Sequence, residues 1–225
     1  MSIRVFASPT QLGPLTLSAQ ESHYLVRVRR ARVGSTLEVL HPEAGGWRAE
    51  VEDADTKQAR VRVLERLPDR PAWPVDLAVA QPDTKAAQEV IARAVECGAR
   101  SLTFLETTRS QPGRLSVSRT DRVVAAARRQ CGRLDPLALH GPMPLAVWLA
   151  TPRAGFIASL ASDVGTEAPR GEIAVLIGPE GGLTSEEEAL GRAAGLVPLS
   201  LGPFVLRTEV AVTAAVAVAG TILSV

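Results

Sequence analysis

The sequence predicts an α/β protein in two parts: a small β-barrel over residues 1–70 and a parallel-sheet domain over residues 71–225. Two patterns predict this division. Short stretches that alternate apolar and polar residues follow one another through the first part, whereas strand and helix patterns alternate through the second. Between them, residues 66–74 hold three prolines, which interrupt the periodicity and indicate a linker.

The predicted strands of the barrel are short. They cover residues 3–6, 36–40, 47–51 and 59–64. Residues 42–46 hold one proline and two glycines, which indicate a hairpin-like turn between the second and third of these strands. Several short strands with turn signals between them are typical of a small barrel.

A run of basic residues lies between the first two predicted strands, where residues 23–34 read HYLVRVRRARVG. Four arginines stand within six positions of this run: Arg27, Arg29, Arg30 and Arg32. One interpretation is a solvated basic face, since charged side chains mostly lie at the surface. The other is a patch that binds RNA phosphates, with Tyr24 beside it to stack on a base. The pattern alone leaves both interpretations open.

The second part begins with a βαβ pattern, which predicts a parallel sheet. Its elements are, in order, strand 75–80, helix 85–97, strand 101–105, helix 119–132, a short helix around Trp148 and strand 155–160. Gly98 is expected to end the first helix. The loop over residues 106–117 contains Arg109 and is longer than most connections, which often indicates a functional loop.

The most informative stretch is residues 173–209. An apolar strand, 173–177, runs into the loop GPEGG, and a helix follows with Thr184 and Glu187 at capping-box spacing. A second strand, 197–201, runs into another Gly-Pro pair. Two strand ends therefore present glycine loops one crossover apart, and in open α/β sheets ligands bind outside the carboxyl ends of strands.

The composition of these loops indicates the kind of ligand. Glycine lets backbone amides approach a ligand closely, although a glycine–proline cluster alone is equally often a plain turn. The second loop favours a binding site. Glu180 argues against a phosphate cradle, and neither G-x-x-x-x-G-K-[ST] nor G-x-G-x-x-G occurs. A neutral or cationic ligand, held mostly by backbone groups, fits better.

The segments LIGPEGGLTSEE and LGPFVLRTE resemble the signature of the 16S ribosomal RNA uridine-N3 methyltransferases, the RsmE family of SPOUT methyltransferases. The resemblance extends from Arg4 to about Ala219. Upstream matches are Lys85, the run EVIARAVECG, Arg109-Ser110 and the segment QCGR. Three positions depart from the family pattern: Val210 replaces the usual threonine, Cys97 a leucine and Arg93 a lysine.

The resemblance implies S-adenosylmethionine as the cofactor, bound in a bent form in a deep trefoil knot over roughly residues 155–225. It also implies a PUA-like N-terminal barrel. The pocket is expected at three loops, 159–161, 177–181 and 199–206. The expected cofactor contacts are Leu160, Ile177, Gly178, Pro179, Glu180, Gly181, Leu199, Ser200, Leu201, Gly202, Val205 and Leu206.

The implied substrate is a uridine of 16S ribosomal RNA, reached as free RNA or in the small subunit. Its N3 lies on the Watson–Crick edge, so the base must be unpaired or turned out of its stack. Arginine would stabilise negative charge that develops on that edge, and the candidates are Arg109, Arg133 and Arg207. Glu209 is the candidate proton acceptor or arginine orienter; alternatively, it complements the dipole of the helix it opens.

In this family context we favour RNA contact over a solvated face, through Arg4, Tyr24, Arg27, Arg29, Arg30 and Arg32. Two alternatives for the whole chain stay open. One is another SPOUT activity, such as ribose 2′-O-methylation. The other is a non-catalytic RNA-binding module, against which the intact GPEGG loop argues.

Charge and composition limit the kinds of partner and cofactor that the protein can have. Residues 1–150 carry 21 Lys and Arg against 16 Asp and Glu, whereas residues 151–225 carry 4 against 8. A basic front half indicates a polyanionic partner. The scattered histidines and the absence of C-x-x-C predict no metal site. Without a signal-peptide pattern or a membrane-length apolar run, a cytoplasmic protein is expected. The small residues of 211–220 allow close helix packing, and with the family resemblance they predict a homodimer built on the C-terminal domain.

Overall fold

The computed structural model describes residues 2–111, 113, 116–160 and 171–224. It contains two units. The first comprises Met1–Pro71 together with Arg128–Pro136, and the second comprises Ala72–Ala127 and Leu137–Val225. The return of Arg128–Pro136 to the first unit is not apparent from the sequence.

One sheet of five strands forms the first unit. The strands are β1 (Ile3–Phe6), β2 (Gly13–Thr16), β3 (Thr36–Leu40), β4 (Gly46–Asp53) and β5 (Arg60–Arg66), in the spatial order β1-β3-β4-β5-β2. The β1–β3 pair is parallel and the other pairs are antiparallel. Alternate side chains such as Val5, Val39 and Val51 are buried in one core, as the alternating sequence pattern predicts. Strand β2 is an addition to the predicted set.

The chain between β2 and β3 is helical. Helix α1 (Ala19–His23) begins at Ser18, whose hydroxyl accepts a hydrogen bond from the Glu21 amide at 3.2 Å. It continues into a π-helical turn, Tyr24–Val28. The fully buried Leu25 anchors this turn in the core of the unit.

Segment Arg128–Pro136 is held in the first unit by a buried arginine. Arg128 is 3% exposed, and its guanidinium donates to four backbone carbonyls. The acceptors are Pro42 at 2.6 Å, His41 at 2.9 Å, Leu134 at 2.7 Å and Arg133 at 3.3 Å. Because buried carbonyls need partners, one side chain here satisfies groups from two chain segments.

The second unit contains a six-stranded parallel sheet. Its strands are β6 (Trp73–Ala80), β7 (Ala99–Glu106), β8 (Ala138–Pro144), β9 (Gly155–Ala158), β10 (Ile173–Ile177) and β11 (Leu196–Leu199), in the order β11-β9-β10-β6-β7-β8. All neighbouring pairs are parallel. The order reverses at β6, which has β7 on one side and β10 on the other.

Five helices follow strands of this sheet. They are α2 (Thr84–Glu96), α3 (Val117–Cys131), α4 (Leu145–Leu149), α5 (Ser185–Ala193) and α6 (Thr208–Leu223). The last four residues of α3 belong to the first unit. The Asp83 carboxylate begins α2 by accepting from the amides of Lys85 and Ala86 at 2.7 and 3.0 Å. No helix in the described part of the chain is long and apolar enough to cross a membrane.

Strand β8 is a second addition to the predicted set. Its sequence resembles a loop because it contains Gly141, Pro142 and Pro144. The strand lies at the edge of the sheet, where proline is tolerated. The predicted trefoil knot involves the connection from β9 to β10. Residues 161–170 of that connection lie outside the described residues, so the knot stays a prediction.

Replacement of Arg128 with methionine is expected to destabilise the protein by about 3 kcal/mol, because it leaves buried carbonyls without donors. Urea unfolding followed by circular dichroism measures this effect. Arg122→Met, on the exposed face of the same helix, is the matched control and should change stability by less than about 0.5 kcal/mol. Equal urea midpoints for the two variants would show that the four carbonyl contacts do not stabilise the fold.

Candidate active site

A cavity of about 330 Å³ opens at the carboxyl ends of β9, β10 and β11. This is the position at which open α/β sheets bind ligands. The predicted contact residues that line it are Leu160, Ile177, Gly178, Pro179, Glu180, Gly181, Leu201, Gly202, Val205 and Leu206. Further lining residues that the sequence did not single out include Leu183 and Glu188.

Leu199 and Ser200 support the cavity instead of lining it. Leu199 is 6% exposed, and its carbonyl accepts a hydrogen bond from the Ser159 amide at 3.0 Å. The Ser200 hydroxyl lies 3.4 Å from the amide of Gly202. These contacts therefore hold the loops after β9 and β11, and other residues of those loops line the cavity. Ala161, also in a predicted loop, lies outside the described residues.

The GPEGG loop is shaped by close packing. A Cβ atom on Gly178 would stand 3.0 Å from the side chain of Leu183 and 3.2 Å from its backbone nitrogen, so glycine lets the loop fold back over that leucine without a shift. The Gly182 amide donates to the Pro179 carbonyl at 2.8 Å, and Gly182 has a φ of +74°, which favours glycine. The loop therefore turns tightly at the end of β10 and exposes backbone groups to the cavity.

Helix α5 begins with the predicted capping box. The Thr184 hydroxyl accepts from the Glu187 amide at 3.2 Å, and the Glu187 carboxylate accepts from the Thr184 amide at 2.9 Å. The other oxygen of Glu187 accepts from the amide and hydroxyl of Thr108, at 2.7 and 3.0 Å. This contact with the 106–117 loop is not apparent from the sequence.

The environment of Glu187 favours its charged form. Burial by itself raises the pKa of this carboxyl, but hydrogen bonds from Thr108 and Thr184, with the charge of Arg109, outweigh burial and hold the pKa below its ordinary value. The side chain therefore acts as an acceptor only, toward three donors.

Arg109 reaches the cavity loop. Its guanidinium donates to the Gly181 carbonyl at 2.6 Å, and the side chain is exposed. Arg207 is also exposed and stands immediately before α6. Glu209 lies half-buried in the first turn of that helix, two residues before the cavity-lining Ala211. Three of the four predicted catalytic residues thus lie on segments that border the cavity.

Arg133 has a different environment. It belongs to the first unit, where it is 8% exposed and forms an ion pair with Asp135 at 2.6 Å. Its guanidinium also lies 3.4 Å from the Pro136 carbonyl. These contacts give Arg133 a structural explanation that needs no catalytic role.

The four arginines of the basic run follow or belong to the π-helical turn. Arg27, Arg30 and Arg32 are exposed, Arg29 is half-buried, and Ala31 is buried. The buried Leu25 and Ala31 hold the backbone of the run, with the Ala31 amide donating to the Leu25 carbonyl at 3.1 Å. The arginines therefore project from a fixed segment of the first unit.

The side chains of Arg4 and Tyr24 make contacts within the first unit. The Arg4 guanidinium pairs with Glu38 at 2.6 Å and donates to the Gln130 carbonyl at 2.8 Å. The guanidinium of Arg129 covers the Tyr24 ring at 4.2 Å and pairs with Glu21 at 2.6 Å. Both predicted RNA-binding residues thus hold the end of α3 in place.

Comparison with known proteins identifies the family. The profile of an RNA methyltransferase domain matches residues 68–220, and that of an RNA methyltransferase PUA domain matches residues 17–64. A Synechocystis protein named ribosomal RNA small subunit methyltransferase E is 31% identical over 235 residues, covering 96% of this chain and 77% of that protein. The chain belongs to the RsmE family of RNA methyltransferases.

Solved structures agree with membership of the RsmE family. The Legionella pneumophila protein Lpg2936, in complex with bound S-adenosylmethionine, is 28% identical with a TM-score of 0.79, and the match covers 98% of both chains. An RsmE protein of Neisseria gonorrhoeae has a TM-score of 0.84 at 20% identity, over 99% of this chain and 98% of its own, and supports the fold. The predicted fold, a PUA domain before a parallel-sheet methyltransferase domain, is confirmed.

Proposed function

We propose that this protein transfers a methyl group from S-adenosylmethionine to N3 of one uridine in 16S ribosomal RNA of the small subunit. The observation that carries the proposal is the cavity at the ends of β9, β10 and β11 in a chain of the RsmE family. The reaction belongs in the cytoplasm, where the small subunit resides.

The cavity fits this cofactor. Its volume of about 330 Å³ lies within the range of small-molecule sites. Apolar side chains, among them Ile177, Leu201 and Leu206, can pack on a ring, while backbone N–H and C=O groups of the glycine loops can bind the edge of adenine. Glu180 and Glu188 also line the cavity and supply negative charge. These carboxylates suit a cationic ligand better than a phosphate.

Residues of this chain would act on the uracil that accepts the methyl group. S-adenosylmethionine supplies an activated methyl group on a sulfonium when bound. Arg109 and Arg207 would stabilise negative charge on the O2–N3–O4 edge of uracil as N3 loses its proton. Glu209 is the candidate acceptor of that proton, and its alternative role is to complement the dipole of α6. Charge stabilisation by the arginines and proton transfer to Glu209 both require a uracil that is turned out of its stack.

The decisive experiment maps methylated nucleotides after the protein is incubated with unmodified small subunits and labelled S-adenosylmethionine. One 3-methyluridine in 16S RNA is expected. Label at a ribose 2′-hydroxyl would contradict the assignment and support the alternative SPOUT activity. Cofactor binding without any transfer would favour a non-catalytic module, and the same assay with free RNA separates the two forms of substrate.

Gly181→Val is expected to abolish cofactor binding without unfolding the protein. Among the described residues, a Cβ at Gly181 would contact only the Arg109 side chain, at 3.5 Å, so the added methyl groups would occupy cavity space. Calorimetry in a chelator should show one site per chain for the unchanged protein and none for the variant. Equal thermal midpoints without cofactor are the control. Binding restored only by a divalent ion would contradict a metal-free site.

We also propose a homodimer built on the second unit. Ala211, Ala215 and Ala219 of α6 are buried in the core of their own chain. Another face of the helix exposes the small residues Thr213, Ala217 and Thr221, which allow a second copy to approach closely. Sedimentation equilibrium should give twice the chain mass. A monomer mass at every concentration would contradict this proposal.

The two units are expected to divide the work, with the first placing RNA and the second carrying the reaction. Alanine at Arg27, Arg29, Arg30 and Arg32 should weaken RNA binding and reduce its salt slope by roughly one for each phosphate that is no longer bound. Cofactor affinity should not change. The matched control is alanine at Arg60 and Arg62, which are exposed on β5 and paired with Asp53 and Glu52.

Arg207→Ala should have the converse effect. RNA affinity stays near the normal value, while the rate at saturating RNA falls, because the charge that is removed acts on the reacting base. If the four-arginine variant keeps its RNA affinity and salt slope, the basic run is only a solvated face.

A further inference from the structure

One buried carboxylate joins two loops of the second unit. Glu187, the third residue of α5, is 9% exposed. One of its oxygens accepts from the Thr184 amide at 2.9 Å, within the capping box. The other accepts from the amide and hydroxyl of Thr108, 79 residues earlier in the chain. A capping box alone needs only the first of these contacts.

The loop that Glu187 holds also carries Arg109. This arginine follows Thr108 directly, and its guanidinium donates to the Gly181 carbonyl at 2.6 Å. Gly181 lies three residues before Thr184, so the contacts close a ring through Glu187, Thr108, Arg109 and Gly181. The same turn is tightened by Ser110, whose hydroxyl accepts from the Thr107 amide and donates to the Thr107 carbonyl, at 3.0 and 2.9 Å.

We propose that Glu187 is a positioning residue that fixes Arg109 at the rim of the cavity by holding the backbone of Thr108. The two neighbouring contacts act together. Thr108 fixes where the Arg109 side chain begins, and the Gly181 carbonyl fixes where its guanidinium ends. The effect on methyl transfer rests on the function proposed above, whereas the effect on the loop does not.

The chemistry of this clamp, formed by Glu187 and Thr108, requires an ionised carboxylate of this length. A glutamine has one acceptor oxygen for donors on two sides, so either Thr184 or Thr108 loses its partner, and any bond to Thr108 that remains loses the charge assistance of the carboxylate. An aspartate keeps a negative charge near the start of α5 but is one methylene shorter, so it loses the reach to Thr108. Rotamer-fixed support of this kind is what keeps a functional side chain in its productive geometry.

The test compares Glu187→Gln with Thr184→Ala. The second variant removes the hydroxyl of the capping box and leaves the Glu187–Thr108 contact in place. Hydrogen exchange of the Thr108 amide reads the clamp directly. We expect roughly tenfold faster exchange in Glu187→Gln and no change in Thr184→Ala, although the latter lowers the thermal midpoint by a few degrees.

Kinetics and a double variant then test the role in the reaction. Glu187→Gln should lower kcat by roughly tenfold with little change in KM for RNA, and should have no further effect in an Arg109→Ala background. Thr184→Ala should keep kcat within about twofold. Additive reductions in the double variant, or equal reductions of kcat in both single variants, would overturn positioning of Arg109.

The outcomes separate this inference from the proposed function. Unchanged Thr108 exchange in Glu187→Gln refutes the clamp whether or not the protein methylates RNA. Faster exchange in a protein that transfers no methyl group would establish the clamp and refute the function. Calorimetry on Glu187→Gln and on Thr184→Ala measures the affinity for the cofactor, which does not depend on turnover.

Discussion

The position of the site depends on the insertion of β10 between β9 and β6. All five residues of β10 are buried, so the strand is fixed on both faces and both edges. Its pairing with β9 requires a glycine, because a Cβ on Gly155 would stand 1.9 Å from the Ala174 carbonyl oxygen. With β11 paired to the other edge of β9, three strand ends meet, and their loops enclose the cavity.

A cavity built from backbone loops needs support from outside the sheet. Glycine and proline give the GPEGG loop its tight turn but supply no side chain to hold it. The support comes from the Glu187 carboxylate, which accepts from the Thr184 amide at the start of α5, and from Arg109, which donates to the Gly181 carbonyl. A few charge-assisted contacts therefore fix a loop that apolar packing cannot fix alone.

Sequence patterns predict the parts of this structure that local rules determine. Alternation predicts the strands of the first unit, the apolar run predicts β10, and the S/T-x-x-E spacing predicts the start of α5. Long-range partners are not encoded locally. No sequence pattern near Arg4 or Tyr24 indicates that the end of α3 contacts them. The alternation of valine and arginine near Arg27 does not indicate the π-helical turn found there, which the burial of Leu25 stabilises. The edge strand β8 resembles a loop because its pairing with β7 is likewise a long-range contact.

The arginines show why residue type alone does not assign a role. Arg133 is paired with a carboxylate, so most of its field is cancelled at short range. Arg128 is buried among carbonyls and serves the fold. Arg109 instead donates to a neutral carbonyl in an exposed position, and its charge acts on the Glu187 carboxylate through space, where it helps to lower the pKa of that group. Of the candidates for stabilising a uracil anion, the partners thus favour Arg109 and the exposed Arg207 over Arg133.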